Sequence, residues 1–135
     1  MAEEGKVEFE LVSPEQLLVS EAVDMVVVPG AEGDFGVLPR HSLLISAVRP
    51  GVIQIYVGGT VTSRIFVAGG FCEVTGERCT VLAEEAVHVE DIDRAAVEAE
   101  LKNLRDDAAD AKSDDARAAV QARIKIREAM LSAAA

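Results

Sequence analysis

The chain has 135 residues, half of them apolar, and a formal net charge of −11. This excess of acids argues against nucleic-acid binding, which requires clustered Lys and Arg, and against unaided binding to an anionic bilayer. No apolar run approaches the roughly 20 residues of a membrane-spanning helix.

The composition changes near residue 90. All ten glycines and all four prolines precede that point, and alanine dominates after it. The change predicts an all-β segment followed by an α segment, an α+β chain. We place the β domain at residues 1–88 and a helical tail at residues 89–135.

Short alternating segments with turn residues between them predict the strands of the β domain. Residues 6–12 alternate between apolar and charged side chains. Residues 21–30 read as one longer strand that Pro29–Gly30 ends, and residues 51–70 read as a hairpin turning at Gly58–Gly59. A last hairpin turns at residues 75–78. This pattern favours a sandwich or a flattened barrel.

The segment PGAEGDFGVLPRHSLLI, residues 29–45, carries a glycine at every third position: Gly30, Gly33 and Gly36. It lacks the spacing of a dinucleotide-binding fingerprint and the lysine of a P-loop. Glu32 and Asp34 would repel a phosphate. We therefore expect the glycines to supply turn conformations that other residues avoid.

His41 is the residue of this segment to test for nucleophilic catalysis. It would need a Ser or Cys nucleophile and an orienting acid, and the adjacent Ser42 would point to the opposite face of a strand. We therefore predict no catalytic site, and interpret the segment as a rigid loop that displays Glu32, Asp34, Arg40 and His41.

The two cysteines lie in the last predicted hairpin. If Val74 faces Cys79, Cys72 is diagonal to Cys79, and diagonal neighbours lie about 7–8 Å apart, too far for a relaxed disulfide. We predict two buried, reduced thiols. They and the two histidines offer too few ligands for a metal site.

The α segment predicts two short helices with a polar connection, an antiparallel hairpin. Asp91 is the expected N-cap of the first helix, and Ser113 or Asp114 that of the second. An apolar stripe follows in the first helix at Val97, Leu101, Leu104 and Ala108. Two ridges follow in the second helix, one at Ala116, Val120 and Ile124 and the other at Ala119, Ile126 and Met130.

The second helix is basic, with Arg117, Arg123, Lys125 and Arg127 against one acid from Ala116 onward. These cations could simply face the acidic first helix across solvent, where each exposed pair contributes about 0.2–1 kcal/mol. Alternatively, the helix has an acidic partner elsewhere. The sequence leaves both readings open.

Four motifs together resemble the epsilon subunit family of proton-translocating ATP synthase, called delta in mitochondria. They are VVVPGAEGDFGVLPRHSLLI, RPGVIQI, VAGGFCEVTGERCTVLAEEA and DIDRA, and they span nearly the whole chain. The resemblance implies a ten-stranded β-sandwich followed by a two-helix hairpin. It also implies a non-catalytic rotor subunit of the central stalk.

In this family the sandwich binds the gamma subunit and the c-ring, so the resemblance implies c-ring contacts at Asp34 and His41, with Glu32 and Arg40 nearby. The tail can extend toward the alpha/beta head and restrain ATP hydrolysis, a role that fits Arg117, Arg123, Lys125 and Arg127. The implied location is peripheral, on the cytoplasmic face of a bacterial inner membrane, with attachment only through the complex.

Some relatives bind ATP in the tail through an Ile/Leu-Asp-x-x-Arg-Ala motif. Ile92 and Asp93 match it, but Ala96 stands at the arginine position. Since that substitution removes a phosphate contact, we expect no cofactor, and ATP binding by the tail is disfavoured.

Overall fold

The computed structural model describes residues 5–135. The chain divides into two compact units, Met1–His88 and Val89–Ala135. The first unit contains every strand among the described residues and the second contains both α-helices. Within the described part, neither helix has the length and apolar character needed to cross a bilayer.

The first unit is a β-sandwich. Its strands are β1 (Val7–Val12), β2 (Leu17–Val23), β3 (Met25–Gly30), β4 (Gly33–Val37), β5 (Leu44–Ala47), β6 (Gly51–Val57), β7 (Thr60–Val74) and β8 (Arg78–His88). They pair in the order β2-β1-β8-β7-β6-β3-β4, and β5 pairs with the far end of β7. All pairs are antiparallel except the parallel pair of β1 and β8.

The described residues form eight strands where ten were expected. β7 and β8 are long, and each contributes to both layers: β6 pairs with residues 60–67 of β7, and β5 pairs with residues 71–74. The passage between layers falls at Gly69 and Gly70, with φ of +72° and +103°. If β7 and β8 are each divided at this bend, every layer has five segments, so the ten-segment layout is present without ten separate strands.

A second difference concerns the strand expected at residues 21–30, which is broken at Asp24. β2 pairs with β1, whereas β3 pairs with β4 and β6, so the chain changes partners there. The Asp24 carboxylate accepts the N–H of Gly58 at 2.6 Å and pairs with Lys6. Apolar residues lie on both sides of Asp24, with Val23 before it and the run at residues 25–28 after it, so the apolar pattern did not reveal the break.

Inward-facing side chains of both layers form one apolar core. Its largest fully buried members are Phe9, Leu11, Ile53, Ile55 and Ile65. The alternating burial of β1 follows directly from the alternating sequence of residues 7–12. The hairpin turn at Gly58–Gly59 is confirmed, since both glycines have positive φ.

The second unit contains a short 3-10 helix (Val89–Asp91), then α1 (Arg94–Asp110) and α2 (Asp114–Ala134). The N-cap of α1 is Asp93, which accepts the N–H of Ala96 at 3.1 Å. The expected cap, Asp91, is wrong because it belongs to the preceding 3-10 turn. Ser113 caps α2 as expected, accepting the N–H of Ala116 at 3.1 Å.

The apolar stripe of the first helix is confirmed, with Val97, Leu101 and Leu104 buried. The two ridges expected in α2 are much weaker. Among them only Met130 is buried, while Ala116 and Ala119 are exposed. The helical unit therefore has a thin apolar contact, mostly contributed by α1.

Candidate functional site

The glycine-rich segment forms a β-hairpin whose second strand, β4, is an edge strand of the sheet, so the loop expected there is wrong. β3 and β4 pair from Val26↔Val37 to Gly30↔Gly33, and the turn is Ala31–Glu32. Among residues 5–135, β3 is the only strand that pairs with β4. A Cβ on Gly30 would lie 2.8 Å from both the Gly33 carbonyl oxygen and the Phe35 ring, so this glycine is required for close packing.

Gly36 differs from the expectation that all three glycines adopt turn conformations. It lies inside β4 opposite Val27 and has no positive φ. A Cβ there would meet only Met25 Sδ, at an ordinary 3.6 Å. Of the three, only Gly33, with φ of +141°, occupies the region that favours glycine.

Arg49 holds the β3–β4 turn from the neighbouring chain segment. Its guanidinium donates to the Gly30 carbonyl at 2.6 Å and to the Asp34 carboxylate. Its backbone N–H donates to the Pro29 carbonyl at 2.9 Å. From the sequence, Arg49 was expected only as part of the motif RPGVIQI, with no role of its own. Its signal was local charge, since it is the nearest cation after Arg40 to the acids of this turn.

Arg40 and His41 lie in a separate turn after β4. The His41 N–H donates to the Leu38 carbonyl at 3.2 Å. With Pro39 second and Arg40 at φ +65°, this is the pattern of a type II turn. The Arg40 N–H donates to Gly76 O at 2.9 Å, which fastens the turn to the β7–β8 hairpin, and the His41 ring Nδ1 lies 2.7 Å from the Ser42 carbonyl oxygen.

The expected contact residues therefore form two groups along one edge. Glu32 immediately precedes β4 and Asp34 is its second residue, whereas Arg40 and His41 follow its end. Five strand residues span about 13 Å between first and last Cα. We call this surface the β4 edge. It carries carboxylates at one end and a guanidinium and an imidazole at the other.

A row of apolar side chains crosses the outer face of the other layer. Cross-strand pairing aligns Ala47 with Phe71, Phe71 with Leu82, Leu82 with Val12, and Val12 with Leu17. Phe71 is 60% exposed, Leu82 53% and Leu17 55%. We call these five residues the apolar row; at about 4.8 Å per strand it is about 19 Å long.

The apolar row was not predicted from the sequence, because its residues come from five different strands. Phe71 and Leu82 occupy outward positions that alternation usually gives to polar residues. The predicted turn at residues 75–78 is confirmed, with the Thr75 N–H donating to Arg78 O. That turn fixes the pairing of Phe71 with Leu82, so the row could have been found by combining register with alternation.

Cys72 and Cys79 are buried and free, as predicted, and lie diagonally across the β7–β8 hairpin. Their sulfurs are 3.6 Å apart. The hydrogen bond with Cys72 and burial raise the pKa of Cys79 far above its usual range, while the same hydrogen bond lowers the pKa of Cys72. Cys79 therefore remains a thiol, and both side chains serve as core residues.

The four cations proposed for α2 have different environments. Arg127 Nε donates to both oxygens of Glu100 on α1, at 2.8 and 2.7 Å, and Arg117 pairs with Asp114 at 3.2 Å. Arg123 and Lys125 are exposed and have no ion pair within residues 5–135. Only these two are free to meet an acidic partner while the helical hairpin is closed.

The two residues of the candidate nucleotide motif have structural tasks here. Asp93 caps α1, and the Ile92 N–H donates to the Val89 carbonyl at 3.2 Å. The cap uses a carboxylate oxygen of Asp93, and Ala96 contributes only its N–H.

Comparison with known proteins gives the same assignment at several levels. Residues 6–89 match the family model described as ATP synthase, Delta/Epsilon chain, beta-sandwich domain. The ATP synthase epsilon chain of Rhodospirillum rubrum is 56% identical over 126 residues, covering 93% of this chain and 94% of the relative. That of Paramagnetospirillum magneticum is 55% identical over 130 residues, covering 96% and 98%.

Solved structures share the fold. A chain of the Euglena gracilis mitochondrial ATP synthase (OSCP/F1/c-ring) has a TM-score of 0.82 at 22% identity, covering 96% of this chain and 81% of that one. A chain of the Tetrahymena thermophila mitochondrial ATP synthase (central stalk/c-ring) has a TM-score of 0.69 at 16% identity, covering 96% and 97%. The matches to the curated relatives extend past the sandwich into the helices and leave little of either chain uncovered. The chain belongs to the family of ATP synthase delta and epsilon chains, the non-catalytic stalk subunits of that complex.

Proposed function

We propose that this chain joins the c-ring to the gamma subunit in the central stalk of ATP synthase and passes the rotation of the ring to gamma. The family assignment supports this role, as do the solved structures of similar fold, which are named as F1/c-ring and central stalk/c-ring assemblies. Rotation would then drive synthesis in the alpha/beta head, where this chain supplies no catalytic group.

The apolar row is the observation that carries this proposal, and we assign it to gamma. An outward Phe and two outward Leu in register on neighbouring strands form a contiguous apolar surface rather than scattered exposed residues. Contiguous apolar surfaces on soluble domains mark protein interfaces. The five strands beneath the row are hydrogen-bonded, each to the next, so the row has a rigid support.

The β4 edge is the surface that we assign to the c-ring, with contacts at Asp34 and His41. The Arg49 guanidinium donates to Oδ1 of Asp34, which fixes the position of the carboxylate. Arg49 does not contact the second oxygen, Oδ2. The His41 Nδ1 contact with the Ser42 carbonyl leaves Nε2 for a partner. Both contacts would be pre-positioned, which lowers the entropic cost of binding.

Binding to purified gamma tests the assignment of the apolar row. We expect Phe71→Ser with Leu82→Ser to weaken binding by at least about tenfold, because burial of two large apolar side chains is lost. Val61→Ser is the matched control, since Val61 is an exposed apolar residue outside the row. Unchanged gamma affinity in the double variant, with a folded sandwich by circular dichroism, would remove the assignment.

Binding to the isolated c-ring in detergent tests the β4 edge. Asp34→Asn and His41→Ala should each weaken binding, and Glu15→Gln, in the β1–β2 connection, should not. Arg49→Ala should weaken it indirectly by releasing the turn, with partial rescue in Arg49→Lys. If the two contact variants bind the ring as the wild type does, the c-ring surface lies elsewhere.

We assign a regulatory role to the helical hairpin. Arg123 and Lys125 are available to acidic groups of the head in the closed hairpin, and Arg117 and Arg127 become available when their ion pairs open. Removal of Val89–Ala135 should then raise ATP hydrolysis by the assembled complex. Equal hydrolysis with and without these residues would remove the regulatory role.

A second candidate function, nucleotide sensing by the tail, is disfavoured. Ala96 lacks a group for a phosphate, and Asp93 is engaged as the cap of α1. We therefore propose that the chain holds no cofactor. Calorimetry with Mg-ATP should show no binding heat at millimolar concentration, and a clear isotherm would reverse this choice.

We also propose that the chain is peripheral at the cytoplasmic face of a bacterial inner membrane, held there by gamma and the c-ring. Two exposed surfaces of the sandwich, one apolar and one charged, support attachment through proteins. Release of the chain into the soluble fraction when gamma and the c-ring are absent would be the expected result.

A further inference from the structure

Arg40 has a backbone conformation that is unfavourable for its side chain. Its φ of +65° is the only positive value at a non-glycine position among residues 5–135. In a type II turn this position is usually occupied by Gly, because a Cβ is crowded there. A glycine would satisfy the same backbone contacts, since the bond to Gly76 uses only the Arg40 N–H. The turn therefore does not account for an arginine.

The guanidinium of Arg40 has no partner within the described part of the chain. Arg49 and Arg78, by contrast, pair with Asp34 and Glu10. Glu77 follows Gly76, the residue whose carbonyl accepts the Arg40 N–H, and within residues 5–135 the Arg40 and Glu77 side chains form no ion pair. The chain has a net charge of −11, so acids are abundant, yet the exposed Arg40 pairs with none of those described. Its guanidinium is therefore available to a partner outside the chain.

We propose that Arg40 is a specificity residue of the β4 edge and that its guanidinium binds a carboxylate of the c-ring. The inference rests on the proposed function and deepens it. It gives the ring contact a polarity, with an acid of this chain near the start of β4 and a cation in the turn after its end. A partner surface of repeated identical loops that each carry a base and an acid fits this arrangement.

Three substitutions separate the backbone effect of Arg40 from that of its charge. Arg40→Gly should raise Tm by about 4 °C, because the crowded conformation is relieved. It should also weaken binding to the purified c-ring about tenfold. Arg40→Ala should weaken binding equally with no rise in Tm. Arg40→Lys should keep part of the affinity, since it keeps the charge and loses the planar fork.

Arg64→Ala is the matched control, because Arg64 is an exposed arginine of the sandwich on the regular strand β7. It should change neither Tm nor ring binding. Neutralising the exposed carboxylates of the ring with a carbodiimide and an uncharged amine should lower wild-type affinity to the level of Arg40→Gly and leave that variant unaffected.

Equal binding of wild type and Arg40→Gly to the ring would overturn the inference while leaving the proposed function in place. If the wild-type chain does not bind the ring, both the inference and the proposed function are overturned. Vesicles of anionic phospholipid test the alternative partner. If Arg40 is needed for binding to the vesicles but not for binding to the ring, the carboxylate assignment is overturned in favour of a lipid phosphate.

Discussion

The sandwich and the helical hairpin are stabilised in different ways. The sandwich buries a continuous core from both layers, with Phe9, Leu11, Ile53 and Ile55 inaccessible to solvent. The hairpin buries three residues of α1 and one of α2, each 2–8% exposed. Ion pairs between its helices add to this thin contact. The first unit is therefore suited to holding a fixed shape and the second to opening at modest energetic cost.

The largest expected effect breaks the rigid side of this comparison. Gly70→Ala would place a Cβ 1.8 Å from the Leu82 carbonyl oxygen, at a φ of +103°. We expect a loss of at least about 3 kcal/mol in the free energy of unfolding. Gly76→Ala is the control in the same hairpin, since its Cβ would meet nothing within 4 Å. Urea denaturation measures both, and a Gly70→Ala sandwich of wild-type stability would show that the bend tolerates a side chain.

The loose side of the comparison is tested by Leu101→Ala. Leu101 is 2% exposed, and truncating a buried leucine costs about 2–5 kcal/mol. Because the helical unit is separate, amide hydrogen exchange should accelerate in α1 and α2 and stay unchanged in the sandwich. Ala99→Gly, on the exposed face of α1, is the control variant, because it lowers helix propensity without removing a buried side chain. Equal acceleration in both units would show that they unfold together.

A smaller effect is expected for the ion pair between the helices. Arg127→Ala should destabilise the hairpin by about 0.5–1 kcal/mol, because the substitution removes two charge-assisted contacts with Glu100 at a partly exposed site. Arg123 has no ion pair among the described residues, so Arg123→Ala should leave the stability of the hairpin unchanged. The difference should shrink in 1 M salt, and a difference that persists there would point to packing instead of charge.

The smallest expected effect concerns pH. The hydrogen bond from Lys6 and that from the Gly58 N–H lower the pKa of Asp24 below its ordinary 3.8. A lowered folded-state pKa stabilises the fold above pH 3.8, and this contribution is lost as pH falls through the lower folded-state value. Asp24→Asn should therefore reduce stability at neutral pH and flatten its decline below pH 3.8. Glu15→Gln serves as control, and an unchanged acid limb in Asp24→Asn would contradict the assignment.

Local patterns in the sequence predicted most of the elements. Alternation at residues 7–12, the paired glycines at 58–59 and the helical stripe through Leu101 depend only on near neighbours, and all three match the structure. The strand break at Asp24 could not be predicted, since it depends on Lys6 and Gly58, which are distant in sequence. The contact of Arg49 with Asp34 spans 15 residues, and local charge was its only signal in the sequence.

The candidate site was predicted as one loop and is found as one edge with two ends. Short spacing in the sequence suggested that Asp34 and His41 lie together, but strand geometry separates residues that a loop would cluster. The roles of both residues remain predictions. The apolar row required pairing between five strands, and no single strand reveals it.

The bend at Gly69–Gly70 has a mechanical consequence. Because β7 and β8 continue through both layers, a load applied at one layer travels into the other along peptide bonds as well as through side-chain packing. The two layers cannot slide past each other without straining the backbone of both strands. A force applied to one outer face is therefore transmitted to the opposite face with little sliding of the layers.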